Sequence, residues 1–283
     1  MLTPTARRGA MTVMTSRGLS KRAAARGLGL SRSVEHYARK QPGTDAKLSG
    51  RSRDLSQQFP RFGYRRIAAW LNVGDKRLWR LCSRMGLALP RRRPRRRRSG
   101  SDIRLPTAML PNTVWSYDFV HHRTANKRTL KLLCVLDECT RECLGIEVAR
   151  SIRSQDVILT LSRLMRRYGK PAYIRSDNGA EFTAAAVMRW LRDQNAGPAF
   201  IAPGSPWQHG TVERFNGKLR NACLNREWFV SVRDARVLIE QWRSFYHHQR
   251  PHSALGYRPP AVIRNQLTLS DKLPGLTIEL ATN

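Results

Sequence analysis

Three acidic residues, Asp118, Asp177 and Glu213, have the types and the settings from which a reaction centre could be built. Asp118 lies inside an apolar run, Asp177 ends another, and 35 residues separate Asp177 from Glu213. Carboxylates that converge from two strands and a helix can hold two divalent cations about 3.5–4 Å apart. Such a pair of ions activates a nucleophile and stabilises a leaving oxygen at phosphorus. The three acids therefore predict metal-assisted phosphoryl chemistry.

Each acid also has a simpler explanation when it is considered alone. Asp118 in mid-strand could pair with a single arginine, because a buried carboxylate needs a cation. Asp177 precedes Asn178-Gly179 and could be an ordinary turn residue. Glu213 could be a plain exposed glutamate on an amphipathic helix. All three explanations would have to hold together, whereas one metal site accounts for all three acids.

The charge of the chain indicates the kind of substrate. Lysine and arginine number 52 against 20 acids, which gives a net charge of +32 and a pI near 11.5. Such an excess is typical of proteins that bind nucleic acid. A ribosomal or histone-like binder is the simpler alternative, but a long apolar α/β segment disfavours it. The sequence contains no uninterrupted apolar stretch of about 18 residues, so we predict no membrane span. The five cysteines fit a reducing cytoplasm.

Two helical segments with basic second helices precede the apolar part of the chain. Residues 18 to 40 predict a helix-turn-helix, in which Ser20 caps the first helix and glycines supply the turn. Residues 54 to 89 repeat the pattern, with helices over Tyr64–Leu71 and Lys76–Met85. The cations of the last helix that could lie along DNA are Lys76, Arg77, Arg80 and Arg84.

A run of seven arginines and one proline follows these helices. Its arginines are Arg91, Arg92, Arg93, Arg95, Arg96, Arg97 and Arg98. Self-repulsion and Pro94 favour disorder in the free protein, whereas DNA phosphates or a minor groove would order the run. An inert solvated linker is the alternative. We expect a DNA-binding segment.

Apolar runs and helical periodicities predict an α/β core over about 108 to 228. In chain order the predicted elements are strands Val114–His121, Leu130–Asp137 and Cys143–Val148, helix Asp156–Tyr168, strand Ala172–Ser176, helix Phe182–Asn195, strand Ala199–Ala202 and a long helix that contains Glu213. The first three strands are expected to form an antiparallel meander. Asp137 and Glu138 end the second strand, where they could support the site electrostatically.

Three motifs carry a resemblance to a known family. They are Asp177-Asn-Gly-Ala-Glu-Phe182, Ser205-Pro-Trp-Gln-His-Gly-Thr-Val-Glu213-Arg-Phe-Asn-Gly-Lys-Leu219 and Tyr246-His-His-Gln-Arg-Pro-His-Ser-Ala-Leu-Gly256. In this order they resemble the integrase core of bacterial insertion-sequence transposases of the second-reading-frame type, which is related to retroviral integrases. The order of strands and helices resembles the ribonuclease-H-like fold. The expected fold class is therefore α/β, a mixed five-stranded sheet with flanking helices, preceded by all-α helix-turn-helix segments.

The resemblance implies a DNA transposase that cleaves insertion-sequence ends and joins them to target DNA. Two Mg²⁺ ions would serve the reaction, and Mn²⁺ can substitute. Asp118 would bridge both ions, while Asp177 and Glu213 would each complete one site. The expected partners are element ends and target DNA, a homo-oligomer on DNA, and an upstream reading-frame product fused by frameshifting. The expected location is the bacterial cytoplasm at the nucleoid, without a membrane.

Further DNA contacts are expected around Glu213. Trp207, Gln208 and His209 would form a loop over the DNA end. The residues expected to contact the DNA backbone are Asn216, Lys218 and Arg220. The chain departs from the family pattern at His209 and His247, where asparagine is usual. Two alternatives stay open: a ribonuclease-H-like nuclease without strand transfer, and a non-catalytic DNA-binding regulator from a degenerate element.

These expectations divide the chain into five parts. Residues 1–45 form an N-terminal helix-turn-helix-like segment, and residues 46–90 form a second one. Residues 91–107 form the arginine-rich linker. Residues 108–230 form the catalytic core, and residues 231–283 form a helical C-terminal extension.

Overall fold

The structure, a computed structural model, describes residues 4–31, 41–90, 108–176, 185–200 and 210–272. The chain divides into two compact units, Met1–Leu55 and Ser56–Asn283. Several predicted features lie outside the described residues: the second helix of the helix-turn-helix predicted over 18 to 40, which the sequence places at 32–39, the arginines 91–98, Asp177, and the loop residues 207–209. The five-part division of the chain stays a prediction.

The first unit is helical. Helix α1 spans Pro4–Ser16, α2 spans Lys21–Gly27, and α3 spans Gln41–Gln58 and ends in the second unit. The Ser20 side chain accepts a hydrogen bond of 3.2 Å from the backbone N–H of Ala23, so the predicted cap is confirmed. The sequence did not predict α1 or α3, because glycines interrupt both and neither has a strong apolar stripe.

A helical hairpin begins the second unit, as the sequence predicted. Helix α4 spans Tyr64–Leu71 and ends at Asn72, whose backbone is left-handed with φ 52°. Helix α5 spans Asp75–Arg84, one residue earlier at each end than predicted. The side chains that α5 buries are Leu78, Leu81 and Cys82, and Met85 is only half-buried. The hairpin therefore has a small apolar interior and a basic outer face.

A mixed five-stranded sheet forms the centre of the second unit, and this confirms the predicted fold. Its strands are β1 Val114–Arg123, β2 Thr129–Asp137, β3 Cys143–Ala149, β4 Tyr173–Ser176 and β5 Gly197–Phe200. Their order across the sheet is β3-β2-β1-β4-β5. Strands β1, β2 and β3 pair antiparallel, whereas β4 runs parallel to β1 and β5 runs parallel to β4. Strand β5 begins two residues earlier than predicted.

Helices cover both faces of the sheet. They are α6 Ser154–Tyr168, α7 Ala185–Asp193, α8 Gly210–Leu219, α9 Val232–His248 and α10 Pro260–Lys272. Trp115 and Tyr117 of β1 pack with α6 and α7 on one face. Val120 of β1 packs with α8 and α9 on the other face. The alternation follows from the two-residue period of a strand, and it fixes which β1 side chains point towards α8.

Two further features complete the second unit. Helix α8 continues into a π-helical turn at Arg220–Leu224, and a 3-10 turn at Ser253–Leu255 precedes α10. The hairpin packs on α9 through aromatic rings, because the Phe59 ring stacks on Phe245 with 5.1 Å between centroids. Trp70 of α4 lies 6.0 Å from the same ring. Within the described part of the chain, no helix combines the length and the apolar character needed to cross a bilayer.

Candidate active site

Asp118 lies on β1, the central strand of the sheet, opposite Cys134 of β2. Its neighbours Tyr117 and Val120 face opposite cores, so the alternation of β1 turns Asp118 towards α8. The side chain is half-buried. Its Oδ1 accepts a hydrogen bond of 2.7 Å from the backbone N–H of Phe119. A carboxylate therefore stands at the junction of the sheet and α8.

The partner of Asp118 across this junction is Asn216 of α8. The Nδ2 amide of Asn216 donates a hydrogen bond of 2.7 Å to Oδ2 of Asp118. Asn216 is only 6% exposed, and its Oδ1 is buried without a hydrogen-bond partner among the described residues. The sequence predicted Asn216 as a contact to the DNA backbone. The structure places it instead beneath the surface, against a candidate metal ligand.

Glu213 lies three residues before Asn216, on the same side of α8 and in its first turn. Three residues of helix correspond to about 4.5 Å along the axis. Glu213 is exposed, whereas Val212 and Phe215 beside it are buried. The helix therefore carries an exposed carboxylate one turn from the residue that holds Asp118.

The third predicted acid, Asp177, lies outside the described residues. The strand that leads to it is described: β4 runs parallel to β1, and Ser116 pairs with Arg175. Ser176, the last residue of β4, is buried. Among the described residues no group of three or more histidine, cysteine, aspartate or glutamate side chains could hold a metal ion. Two of the three predicted acids, Asp118 and Glu213, are among these described residues.

A buried ion pair lies at the end of the strands that bear the site. Arg175 of β4 donates a hydrogen bond of 2.6 Å to Oε2 of Glu138, and both side chains are 8% exposed. Burial raises the pKa of Glu138, and the charge of Arg175 opposes that rise. The Glu138 carboxylate therefore balances the charge of buried Arg175, which precedes Asp177 by two residues. This is electrostatic support of the kind that the sequence allowed for.

Asp137, the other acid at the end of β2, has a structural role. Its Oδ1 accepts hydrogen bonds of 2.9 Å from the backbone N–H groups of Cys139 and Thr140. Its Oδ2 accepts one of 2.7 Å from the backbone N–H of Asn112. These bonds satisfy the carboxylate within the turn between β2 and β3 and link that turn to the start of β1.

The predicted DNA-contacting cations differ in exposure. Arg80 of α5 is exposed and Arg77 is half-buried. Arg220 is exposed, and its guanidinium donates a hydrogen bond of 3.2 Å to the carbonyl of His121. Lys218 is half-buried, with Nζ 5.8 Å from the centroid of the Tyr246 ring. These cations stay predicted DNA contacts, but Lys218 belongs to a more enclosed setting than the sequence indicated.

His247 replaces the asparagine that the family pattern led us to expect, and the structure shows how the core uses it. Its Nε2 accepts a hydrogen bond of 2.9 Å from the backbone N–H of Cys143, the first residue of β3. Burial, followed by the charge of Arg243, lowers the pKa of His247 to about 3. The ring is therefore neutral and serves as an acceptor, a capacity that an asparagine oxygen shares.

Comparison with known proteins identifies the family to which the chain is similar. Two family models described as "Integrase core domain" match residues 108–206 and 194–260. The 31.7 kDa protein of insertion element IS407 from Burkholderia multivorans is 40% identical over 248 residues, covering 86% of this chain and 90% of that protein. Transposase InsD of insertion element IS2 from Escherichia coli is 26% identical over 225 residues, covering 72% and 73%.

A solved structure is similar in fold. It is the cryoEM structure of a simian T-cell lymphotropic virus intasome in complex with PP2A regulatory subunit B56 gamma. The match has a TM-score of 0.50 at 17% identity and covers 81% of this chain and 78% of that chain. At that identity the likeness speaks for the fold alone, which is the ribonuclease-H-like sheet described above.

Proposed function

We propose that this chain, which belongs to the integrase-core family of insertion-sequence transposases, cleaves and joins DNA strands by metal-dependent chemistry at Asp118, Asp177 and Glu213. It is a DNA transposase, a member of the polynucleotidyl transferases. The single observation that carries the proposed site is the hydrogen bond from Asn216 to Asp118. That bond joins α8 to β1, and Glu213 lies on α8 one helical turn before Asn216.

The donors around this hydrogen bond fit a hard divalent cation. They are the carboxylate oxygens of Asp118 and Glu213 and the buried Oδ1 of Asn216, which has no hydrogen-bond partner among the described residues. Magnesium prefers oxygen ligands and is usually held by one or two carboxylates. Asp118, Asp177 and Glu213 would hold two Mg²⁺ ions, for which Mn²⁺ could substitute. When bound, these ions would supply the positive charge that activates an attacking oxygen and stabilises a leaving one.

The protein's own groups hold the acids in place. Asn216 fixes the orientation of the Asp118 carboxylate through its 2.7 Å hydrogen bond. Strand β1 pairs with β4 at Val114–Ser116 and with β2 at Asp118 itself, opposite Cys134, and this pairing holds the backbone of Asp118 in the sheet. The Glu138–Arg175 ion pair fixes the turn after β2 against β4, the strand that leads to Asp177. Rigid positioning of this kind is what phosphoryl transfer requires of a protein.

DNA is the partner of this transposase, and the net charge of +32 supplies the attraction. In our proposal the enzyme acts as a homo-oligomer that holds element ends and target DNA together. The proposal also includes fusion to an upstream reading-frame product and a place at the nucleoid of the bacterial cytoplasm. Trp207, Gln208 and His209, together with the arginine run at 91–98, are proposed as further DNA contacts.

Incubation of the protein with a labelled element end and Mg²⁺ or Mn²⁺ tests the proposal. We expect both cleaved and joined products. Asp118→Asn, Asp177→Asn and Glu213→Gln should each abolish both, because each removes one charge from the site with little change of shape. DNA binding should stay near normal, since the arginines supply it. The exposed acids Asp193 and Glu227 offer matched control changes to Asn and Gln.

The outcomes separate the competing functions. Residual cleavage within about tenfold of the wild type, roughly 1.4 kcal/mol in activation free energy, would remove that acid from the site. Cleavage without joining would favour a ribonuclease-H-like nuclease. DNA binding with no cleavage in the wild type would favour a non-catalytic regulator from a degenerate element.

A further inference from the structure

A second group of charges lies beside α8, and the proposed reaction does not use it. Four arginines act on the charge of Lys218 of α8, and they are Arg66 of α4, Arg141 of the turn between β2 and β3, Arg214 of α8, and Arg250 just after α9. We call these five residues the basic cluster. They come from four separate parts of the second unit, so the fold brings them together.

The geometry of the basic cluster centres on two aromatic rings. The guanidinium carbon of Arg250 lies 5.0 Å from the centroid of Phe62, and that of Arg66 lies 5.8 Å from the same centroid. Lys218 approaches Tyr246, whose hydroxyl donates a hydrogen bond of 3.2 Å to the carbonyl of Arg141. Two guanidinium groups therefore lie near the Phe62 ring, and an ammonium group lies near the Tyr246 ring.

Arg250 is the most enclosed member of the basic cluster. The residue is only 5% exposed, and its Nε is buried without a hydrogen-bond partner among the described residues. Burial, followed by the charge of Arg66, lowers its pKa to about 10. A buried cation without a counter-charge is costly. An unsatisfied guanidinium N–H in this setting indicates an anion that none of the described residues supplies.

The charges around Lys218 support the same conclusion. Burial lowers the pKa of Lys218 to about 8, and all the charges that add to this effect are arginines of the basic cluster. His252 lies beside the Tyr246 ring, with 4.5 Å between ring centroids. Burial and then the charge of Lys218 lower its pKa to about 3, so His252 is neutral. The basic cluster therefore attracts negative charge and repels further positive charge.

We propose that the basic cluster is a phosphate-binding site that takes one phosphodiester group of bound DNA, apart from the group that is cut. The inference rests on the proposed function, because it takes DNA as the substrate. Guanidinium groups bind phosphate oxygens through paired hydrogen bonds. Lys218 follows Glu213 by five residues, which corresponds to about 140° of rotation around α8. The two residues therefore serve different sides of one helix.

The basic cluster also depends on the docking of the hairpin. Arg66 lies on α4, which contacts α9 through Trp70 and Phe245, and Phe59 just before α4 stacks on the same ring. A phosphodiester held by Arg66 and Arg250 together would bridge the hairpin and the catalytic core. DNA binding at the basic cluster should therefore strengthen the contact between these two parts.

The test is metal-free binding of a duplex element end over a series of salt concentrations. Lys218→Met removes the charge and keeps most of the side-chain volume, and Lys218→Arg keeps the charge. Arg192→Met is the matched control, since Arg192 is an exposed cation on α7. We expect Lys218→Met to make the slope of log K against log salt less negative by about 0.9, the value for one phosphate contact. Lys218→Arg should restore the wild-type slope, and Arg192→Met should leave it unchanged.

A second measurement identifies the source of the anion. Thermal unfolding is followed with added duplex and, separately, with inorganic phosphate at matched ionic strength. A duplex-induced rise in Tm that is smaller in Lys218→Met than in the wild type supports the proposal. An unchanged salt slope in Lys218→Met overturns it, and so does stabilisation by inorganic phosphate alone, which would indicate a site for a free anion.

These outcomes are independent of the proposed chemistry, because no metal is present and the three acids are intact. If Lys218→Met has the same salt slope as the wild type while the three acid variants are inactive, only the phosphate site is refuted. A normal slope change, with cleavage retained in an acid variant, would refute that acid's catalytic role and leave the phosphate site standing.

Discussion

The side-chain amide of Asn216 donates a 2.7 Å hydrogen bond to the carboxylate of Asp118, across 98 residues of sequence. It joins the central strand of the sheet to the helix that carries Glu213. A hydrogen bond to a charged group contributes about 1.5–3 kcal/mol. The orientation of one candidate metal ligand is therefore tied to the position of the helix that carries the other.

We expect Asn216→Ala to reduce strand cleavage by about 10- to 100-fold, the equivalent of roughly 1.5–3 kcal/mol for a charged hydrogen bond. The variant should also need more Mg²⁺ for half-maximal rate, because Asp118 is no longer held in one orientation. Cleavage is measured as a function of Mg²⁺ at saturating DNA. Asn225→Ala, at an exposed position after the π-helical turn, is the control. An unchanged Mg²⁺ requirement in Asn216→Ala would argue against a positioning role.

Local patterns predicted the elements of the core well. The apolar runs at Val114–His121 and Leu130–Asp137 became β1 and β2, and Tyr64–Leu71 became α4 with the predicted bounds. These signals are local, since a strand or an amphipathic helix shows its period within a few residues. Helix α3 was missed because Pro42, Gly43 and Gly50 read as breakers, although proline is tolerated in the first turn of a helix.

The partners of side chains were harder to predict than the elements. The spacing of Glu213 and Asn216 placed both on one side of a helix, but nothing local indicated that Asn216 turns inward to Asp118. The same holds for Arg250, which is surrounded by polar residues in the sequence and yet becomes buried against Phe62. Such contacts depend on how distant elements pack, and one sequence carries no direct signal for that.

The buried ion pair between Glu138 and Arg175 should make Glu138→Gln strongly destabilising. The change removes the carboxylate charge that the Arg175 guanidinium contacts, and breaking a buried pair costs about 3–5 kcal/mol. Urea unfolding measures the loss. The double change Glu138→Leu with Arg175→Met should recover most of it, because neither charge then remains. A double variant that is less stable than Glu138→Gln would show that the pair matters for its shape more than for its charge.

Phe245 holds the helical hairpin on the core, so Phe245→Ala should release α4 and α5. The change removes the ring that stacks on Phe59 at 5.1 Å. Hydrogen exchange of the backbone amides in α4 and α5 should become faster, while exchange in β1 and β2 stays close to that of the wild type. Val237→Ala, at an exposed position of α9, is the control. Equal loss of protection in the hairpin and the sheet would point to general unfolding instead.

The arginine run at 91–98 should dominate the salt dependence of DNA binding. If this run and the helices neutralise about 8 phosphates, log K should fall against log salt with a slope near −7, at 0.9 per contact. Deletion of residues 91–98 should flatten that slope by several units. Binding is measured at fixed temperature and pH on one duplex. A slope that survives the deletion would identify the run as a passive linker.

Lys218 should give the protein a specific dependence of stability on pH. Its pKa in the folded protein is about 8, against an ordinary value of 10.5. Between these two values the unfolded state binds more protons than the folded state, so the free energy of unfolding rises with pH over that window.

Lys218→Met lacks this rise. We therefore expect the variant to be more stable than the wild type at pH 7 and to lose that advantage as the pH approaches 10. Urea unfolding at both pH values measures the difference in stability between the two proteins. Their other titrating groups are the same, so the contributions of those groups cancel in this difference. An advantage that does not change with pH would mean that Lys218 titrates normally in the fold, and that the arginines around it do not act on its charge.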